Sequence, residues 1–228
     1  MGGAPIWLAT RLQAELALDR AVETGTFLGA GAKALSRVFP EVVTVELSEE
    51  LHAQAVASHG SNPKIRFVHG DSRRVLAELA DATIPSFYFL DGHWSGGPTT
   101  GTEAQCPLLD ELAALVKGHP RDCIVIDDAR LFLAAPPPPY RPDDWPTLVQ
   151  VIDAIQAGHA RHHITVLDDQ VIAVPPEAKA TVDWMGQRWA RVRTREVVRR
   201  VLGSHLPAWS PVRQAVRGAR LRLAEWRT

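Results

Sequence analysis

At 228 residues the chain is one large domain, or one domain with an appendage, and is too short for two full-sized domains. A hydrophobic fraction of 46% and a charged fraction of 22% exclude a disordered, collagenous or coiled-coil chain. The formal net charge of −1 averages two opposite parts: residues 179–228 hold twelve Lys or Arg against three Asp or Glu, a net +9, and residues 1–178 carry −10. An anionic partner is therefore disfavoured for the body and left open for the tail. Cys106 and Cys123 form no C-x-x-C pair and have no metal-ligand spacing, as expected of a reduced intracellular protein. No apolar run approaches the roughly 20 residues that span a bilayer. The N-terminal segment lacks a signal-peptide core, and Ile6 stands where a myristoylation signal needs a hydroxyl residue, so a cytoplasmic location is expected.

In chain order, short apolar runs alternate with helical patterns. Strands are predicted at 21–23, 42–46, 65–68, 86–90 and 123–126, followed in turn by helices at 31–38, 49–58, 72–79, 103–116 and 145–156. The runs VVTVEL and CIVID are nearly continuous and apolar, the mark of parallel strands buried on both faces. Ser48 ahead of Glu49 and Glu50, and Asp71 ahead of Ser72, read as helix N-caps. Residues 134–146, AAPPPPYRPDDWP, fit neither helix nor central strand, because proline lacks the donor and disfavours helix before it. They follow the fifth strand and read as a stiff linker or, in the preferred reading, as a lid on the substrate side. HHITVLDDQVIAVP, residues 162–175, is two extended runs joined at Asp168, Asp169 and Gln170, a hairpin. Five βα units and a hairpin predict an α/β fold: a Rossmann-like, doubly wound, mostly parallel seven-stranded sheet with a terminal antiparallel hairpin. A helical C-terminal extension follows, with one helix stopping near Gly203 and another starting at Ser210-Pro211, giving units at 1–178 and 179–228.

Ligands of such sheets lie beyond the carboxyl ends of the strands. The first strand delivers Glu23, Thr24, Gly25, Thr26, Phe27, Leu28 and Gly29 there, a turn whose glycines let backbone approach a ligand. Phe27 occupies the second glycine position of a dinucleotide fingerprint, which weakens a pyrophosphate-binding reading. The second strand ends in Glu46, an acid suited to accepting both hydroxyls of a ribose. The third ends before Asp71 and Ser72, where a side-chain acceptor meets an adenine amino group or simply caps the next helix.

Together these residues resemble the class I S-adenosylmethionine (SAM)-dependent methyltransferases over roughly residues 10–175, hairpin included. The ETGTF variant of the glycine turn is similar to that of the macrocin and cephalosporin-hydroxylase-like small-molecule O-methyltransferases. The resemblance implies that Glu23 and the backbone of Gly25 to Gly29, with Thr24, Thr26 and Phe27, hold the amino-acid end of SAM. It implies that Glu46 and Leu47 meet the ribose side, and that Asp71, Ser72 and Asp91 complete the cofactor site.

The fourth strand delivers Asp91, Gly92, His93 and Trp94, and the fifth Asp127 and Asp128. Three carboxylates at neighbouring strand ends repel unless a cation sits among them, and a divalent ion with oxygen ligands is the economical choice. Resemblance to the antibiotic-sugar and caffeoyl-CoA-like O-methyltransferases makes Asp91, Asp127 and Asp128 the ligand set for Mg²⁺. The alternative is that Asp127 and Asp128 cap the strand end and bind solvent. His93, two residues past Asp91, is expected to act as general base, with Asp91 beside the reacting oxygen. The hydroxyl-rich run at 95–102 is expected to close over a polar acceptor. His159, His162 and His163 flank a helix end, where imidazolium favours the C-terminal dipole, and their spacing argues against zinc.

These features point to a SAM-dependent O-methyltransferase, Mg²⁺-assisted, acting on a hydroxyl of a sugar or natural-product-like small molecule. The alternatives are a non-catalytic SAM-fold subunit acting through its basic tail and, less favoured, an oxidoreductase. For the tail, packing against its own domain or a sister subunit of a homo-oligomer ranks first, peripheral docking on an anionic membrane surface second, and nucleic-acid binding last.

Overall fold

The computed structural model describes residues 3–94 and 105–205. Helix α1 (Ile6–Leu16) buries Leu8, Ala9, Leu12 and Leu16 and stops at Ala17, which adopts φ 51°. The sequence reading did not anticipate this helix. Strands β1 (Arg20–Thr24), β2 (Glu41–Glu46), β3 (Ile65–His69), β4 (Ser86–Leu90) and β5 (Cys123–Ile126) follow the predicted runs within a residue at each end. Between them lie α2 (Ala30–Leu35), α3 (Glu49–His59), α4 (Ser72–Leu79) and α5 (Leu108–Ala114). Ser48 and Asp71 cap as expected, their side chains accepting from the Leu51 and Arg73 amides. Helix α5 starts at Leu108, after Pro107, rather than at 103. Residues 103 and 104 lie outside the described residues, as does the predicted closing run at 95–102.

After β5 come the one-turn helix α6 (Arg130–Leu133), a 3-10 turn at Pro142–Asp144, and α7 (Leu148–Gly158). A Thr147–Gln150 capping box starts α7 three residues later than predicted. The hairpin is β6 (His163–Leu167) and β7 (Gln170–Val174), turning on Asp168 and Asp169 at φ 50° and 67°. Both positive values match the two-residue turn whose twist suits a hairpin.

The sheet has seven strands in the order β3-β2-β1-β4-β5-β7-β6, with β5–β7 and β6–β7 antiparallel and every other pair parallel. This is the predicted Rossmann-like, doubly wound architecture with a terminal hairpin. One sheet face and the helices α4, α5 and α7 share a core that includes Val22, Tyr88, Leu90, Ile124, Leu76, Leu112 and Ile155. On the opposite face, Phe39 stacks on Phe87 at 5.6 Å between ring centroids. Strand order reverses direction between β1 and β4, so the carboxyl ends of these two strands form the switch point where open α/β sheets bind ligands.

The chain divides into two compact units, Met1–Lys179 and Ala180–Thr228. The last described element is α8 (Lys179–His205), a 27-residue helix that runs through Gly203, where a stop was predicted. A single glycine costs a helix only about 1 kcal/mol and does not by itself end one. The helix predicted from Ser210 lies outside the described residues. No described helix is long and apolar enough to cross a membrane.

Candidate functional site

The glycine turn leaves β1 across the end of β4. Gly25 has φ +81°, and a Cβ there would sit 2.3 Å from the Asp91 carbonyl oxygen, so only glycine permits this crossing. The Asp91 amide is held in turn by the Thr24 hydroxyl at 3.2 Å. Glu23 points beneath α2: its Oε2 accepts from the Thr44 hydroxyl at 2.7 Å, and a Cβ at Gly31 would lie 2.0 Å from its Oε1. Thr26 and Thr44 share a hydroxyl–hydroxyl bond of 2.7 Å. Glu23 therefore braces the turn from below. Burial pushes its carboxyl up to about 8, against the pull of the Thr44 hydroxyl.

Glu46 is buried at the end of β2, its Oε2 accepting from the Phe27 amide at 2.9 Å and its Oε1 from the Ser48 amide at 3.0 Å. Each oxygen retains a lone pair in a fixed direction, a pair of acceptors for the two hydroxyls of a vicinal diol. Phe27, Leu28 and Leu47 are exposed apolar side chains on the neighbouring turns, and Phe27 adopts φ 48°. Such apolar exposure beside a fixed polar pair suits the ribose and base of a nucleoside. Asp71 caps α4 and forms a two-pronged pair with Arg73, 2.9 Å at Nε and 2.5 Å at Nη2. Ser72 opens the same helix.

At the ends of β4 and β5 the structure joins Asp91, His93 and Asp128. His93 Nε2 lies 3.0 Å from Asp128 Oδ2, and Nδ1 lies 3.8 Å from Asp91 Oδ1. The imidazole is enclosed, with 5% of its side chain exposed, whereas Asp91 is 32% exposed. Burial opposes charge on His93, but the bond to Asp128 and the surrounding carboxylates outweigh it and raise its pKa. Burial lifts Asp91 to about 7, with His93 opposing. Asp128 is held down to about 2, its hydrogen bonds from His93 and Arg130 overcoming its burial.

The predicted Mg²⁺ ligand set is not assembled. Among the described residues, no group of three or more His, Cys, Asp or Glu side chains is placed to hold a metal ion. Asp128 Oδ2 meets His93 and Oδ1 accepts from Arg130 Nη1 at 2.5 Å, and Asp127 Oδ1 accepts from Gln170 Nε2 at 3.3 Å. The carboxylates of Asp91, Asp127 and Asp128 do need a cation. His93 and Arg130 are the basic side chains beside them.

Arg130, Glu111 and Gln105 escaped the sequence reading, whereas Tyr140 and Trp145 belong to the segment expected on the substrate side. Arg130 follows the double aspartate by two residues, and its guanidinium also bonds Asp169 of the hairpin turn. Glu111, on α5, is buried under Gly92, where a Cβ would lie 3.0 Å from Glu111 Oε1 and from Thr24 Oγ1. An acid within the apolar pattern of α5 was the available signal. From residues 134–146, Tyr140 and Trp145 pack against the β4 exit, Trp145 edge-on to His93 at 5.3 Å and Tyr140 to Trp94 at 5.7 Å. Gln105 ties this wall together, its side chain accepting from Trp145 Nε1 at 3.2 Å and from the Arg141 amide at 2.8 Å. The histidine cluster differs from expectation too. His159 is the C-cap residue of α7, and burial and neighbouring His162 push its pKa down to about 4 rather than up.

No protein-family model matches the sequence, and a search of curated proteins finds no relative. Solved structures do share its fold. A Podospora anserina methyltransferase with S-adenosylhomocysteine (SAH) bound superimposes with a TM-score of 0.52 at 16% identity, over 77% of this chain and 79% of that one. A Staphylococcus aureus protein described as a caffeoyl-CoA O-methyltransferase gives 0.53 at 12% identity, over 77% and 84%. A Klebsiella pneumoniae protein described as an O-methyltransferase gives 0.56 at 15% identity, over 77% and 81%. The chain thus has the Rossmann-like methyltransferase fold.

Proposed function

We propose that the chain is a SAM-dependent O-methyltransferase that methylates a hydroxyl of a small molecule of the sugar or natural-product kind. The observation that carries the reading is the meeting, at the β1/β4 switch point, of the Gly25 crossing with Asp91 and its His93 partner, beside the paired lone pairs of Glu46. Glu46 would hold the ribose, and the turn from Gly25 to Gly29, braced by Glu23, the amino-acid end. The fold likeness to methyltransferases supports the same reading.

Bound there, the cofactor supplies an electrophilic methyl group on a positively charged sulfur. Asp91 is the carboxylate an acceptor reaches, since the His93 ring is enclosed with both nitrogens turned to carboxylates. Asp91 would take the proton of the acceptor hydroxyl, freeing the oxygen lone pair for the methyl group that the cofactor supplies. A carboxyl near 7 is matched to that work at neutral pH. His93 orients Asp91, and the Tyr140–Trp145 wall bounds the acceptor side. Most of the rate would come from holding the oxygen in line with the methyl group.

Calorimetry with SAH, followed by methyl transfer to a panel of hydroxyl compounds, tests the reading. Binding with turnover, and loss of turnover but not of SAH binding in His93→Phe, is expected; no SAH binding would refute it. Binding without turnover across the panel would favour a non-catalytic subunit. For residues 179–228 we infer packing against a sister subunit. Liposome flotation that depends on this segment would instead assign it to an anionic membrane.

A further inference from the structure

We propose that the carboxylate cluster at the β4 and β5 exits is a metal-independent site whose resident cations are His93 and Arg130, with Arg130 as its positioning residue. Placing this cluster on the acceptor side rests on the function proposed above; the cation assignment does not. Asp128 is the centre of the arrangement. One oxygen meets His93 at 3.0 Å and the other Arg130 at 2.5 Å, so both face protein cations. A divalent ion bound to either oxygen would sit beside one of these groups, whose positive charge opposes it. Asp127 Oδ1 also accepts from the Gln170 side chain, and Asp91 faces the imidazole.

The arrangement is built rather than incidental. Asp128 adopts φ 57°, a conformation that costs a non-glycine residue about 1 kcal/mol or more and persists where neighbours over-determine it. Those neighbours come from separate parts of the chain. The Ala129 amide donates to the Asp169 carbonyl at 2.7 Å, and the Arg130 amide donates to Asp169 Oδ1 at 2.8 Å. The Arg130 guanidinium then bridges Asp169 and Asp128. The hairpin turn is thereby clasped to the β5 exit, and Arg130 holds Asp128 where it orients His93, which in turn faces Asp91. Both contacts are made by Nη1 of the guanidinium.

The test is titration of the full-length protein with MgCl₂ by calorimetry, alone and with SAH, beside kinetics before and after EDTA. No Mg²⁺ binding at millimolar concentration and full activity after EDTA are expected. Saturable Mg²⁺ binding that Asp127→Asn abolishes would overturn the proposal, as would activity that EDTA removes and Mg²⁺ restores. Arg130→Met should lower kcat on the order of tenfold while leaving the SAH dissociation constant and KM within about twofold, and Arg130→Lys should recover part of kcat. An Arg130→Met protein with unchanged kcat would remove Arg130 from the assignment. If no methyl transfer is found at all, the function proposed above fails, and the Mg²⁺ titration still decides the cation question.

Discussion

Replacing Gly25 by alanine probes the crossing on which the site depends. The new Cβ would lie 2.3 Å from the Asp91 carbonyl oxygen, 2.9 Å from its carbonyl carbon and 3.3 Å from the Gly92 Cα, all backbone atoms that no rotamer change can move. The left-handed φ of +81° adds about 1–2 kcal/mol for any residue with a Cβ. Overpacking against rigid neighbours adds about 1–3 kcal/mol, so a total of about 2–5 kcal/mol is expected. For a unit of this size that lowers the melting temperature by about 4–20 °C. Opening the turn would also separate Thr24 from Asp91, so SAH affinity should fall with stability. Thermal unfolding and SAH calorimetry measure both effects. Gly3→Ala is the control, because a Cβ there meets nothing within 4 Å. A Gly25→Ala protein within about 0.5 kcal/mol of wild type and with unchanged SAH affinity would refute the crossing geometry.

Three further outcomes are expected. Stability of the ligand-free protein should fall as pH rises from about 6.5 to about 8. Glu23 is raised to about 8, Asp91 and Asp122 are each raised to about 7, and His93 is raised, so over that window the native state binds more protons than the unfolded chain. The lowered His159 and His162 act only at lower pH, and chemical denaturation giving a flat or rising profile would contradict this sign. Gly186→Ala should raise the stability of α8 by about 0.5–1 kcal/mol, since it is a helix-interior glycine whose Cβ would meet nothing; hydrogen exchange of the helix amides reads this, and increased exchange would count against it. The His159 ring should remain neutral down to about pH 5, as followed by its NMR shifts, whereas titration near its ordinary value would show it unburied.

Much of the framework was legible because it is local. Val42 to Glu46 and Cys123 to Ile126 declare buried strands through apolar continuity, and Ser48 and Asp71 announce helix starts by an interaction spanning two or three residues. The pair Asp168-Asp169 likewise marks its turn. The start of α5 was displaced because Pro107 sets the N-terminus there, and Gly203 was given more breaking power than one glycine has.

The sequence by itself determined the alternation of strands and helices, the terminal hairpin, the glycine turn and the presence of acids at successive strand ends. Periodicity and capping are local physics and need no knowledge of the fold. Only the tertiary structure decided what those acids face. Arg130 reaches Asp169 across 39 residues and His93 reaches Asp128 across 35, pairings that no local pattern announces. Glu23 could be placed at a strand end from its position, but its turn inward beneath α2 depends on Gly31 and Thr44. Charge neutralisation at a sheet edge depends on distances of a few ångströms between strands, and those distances exist only once the sheet has formed.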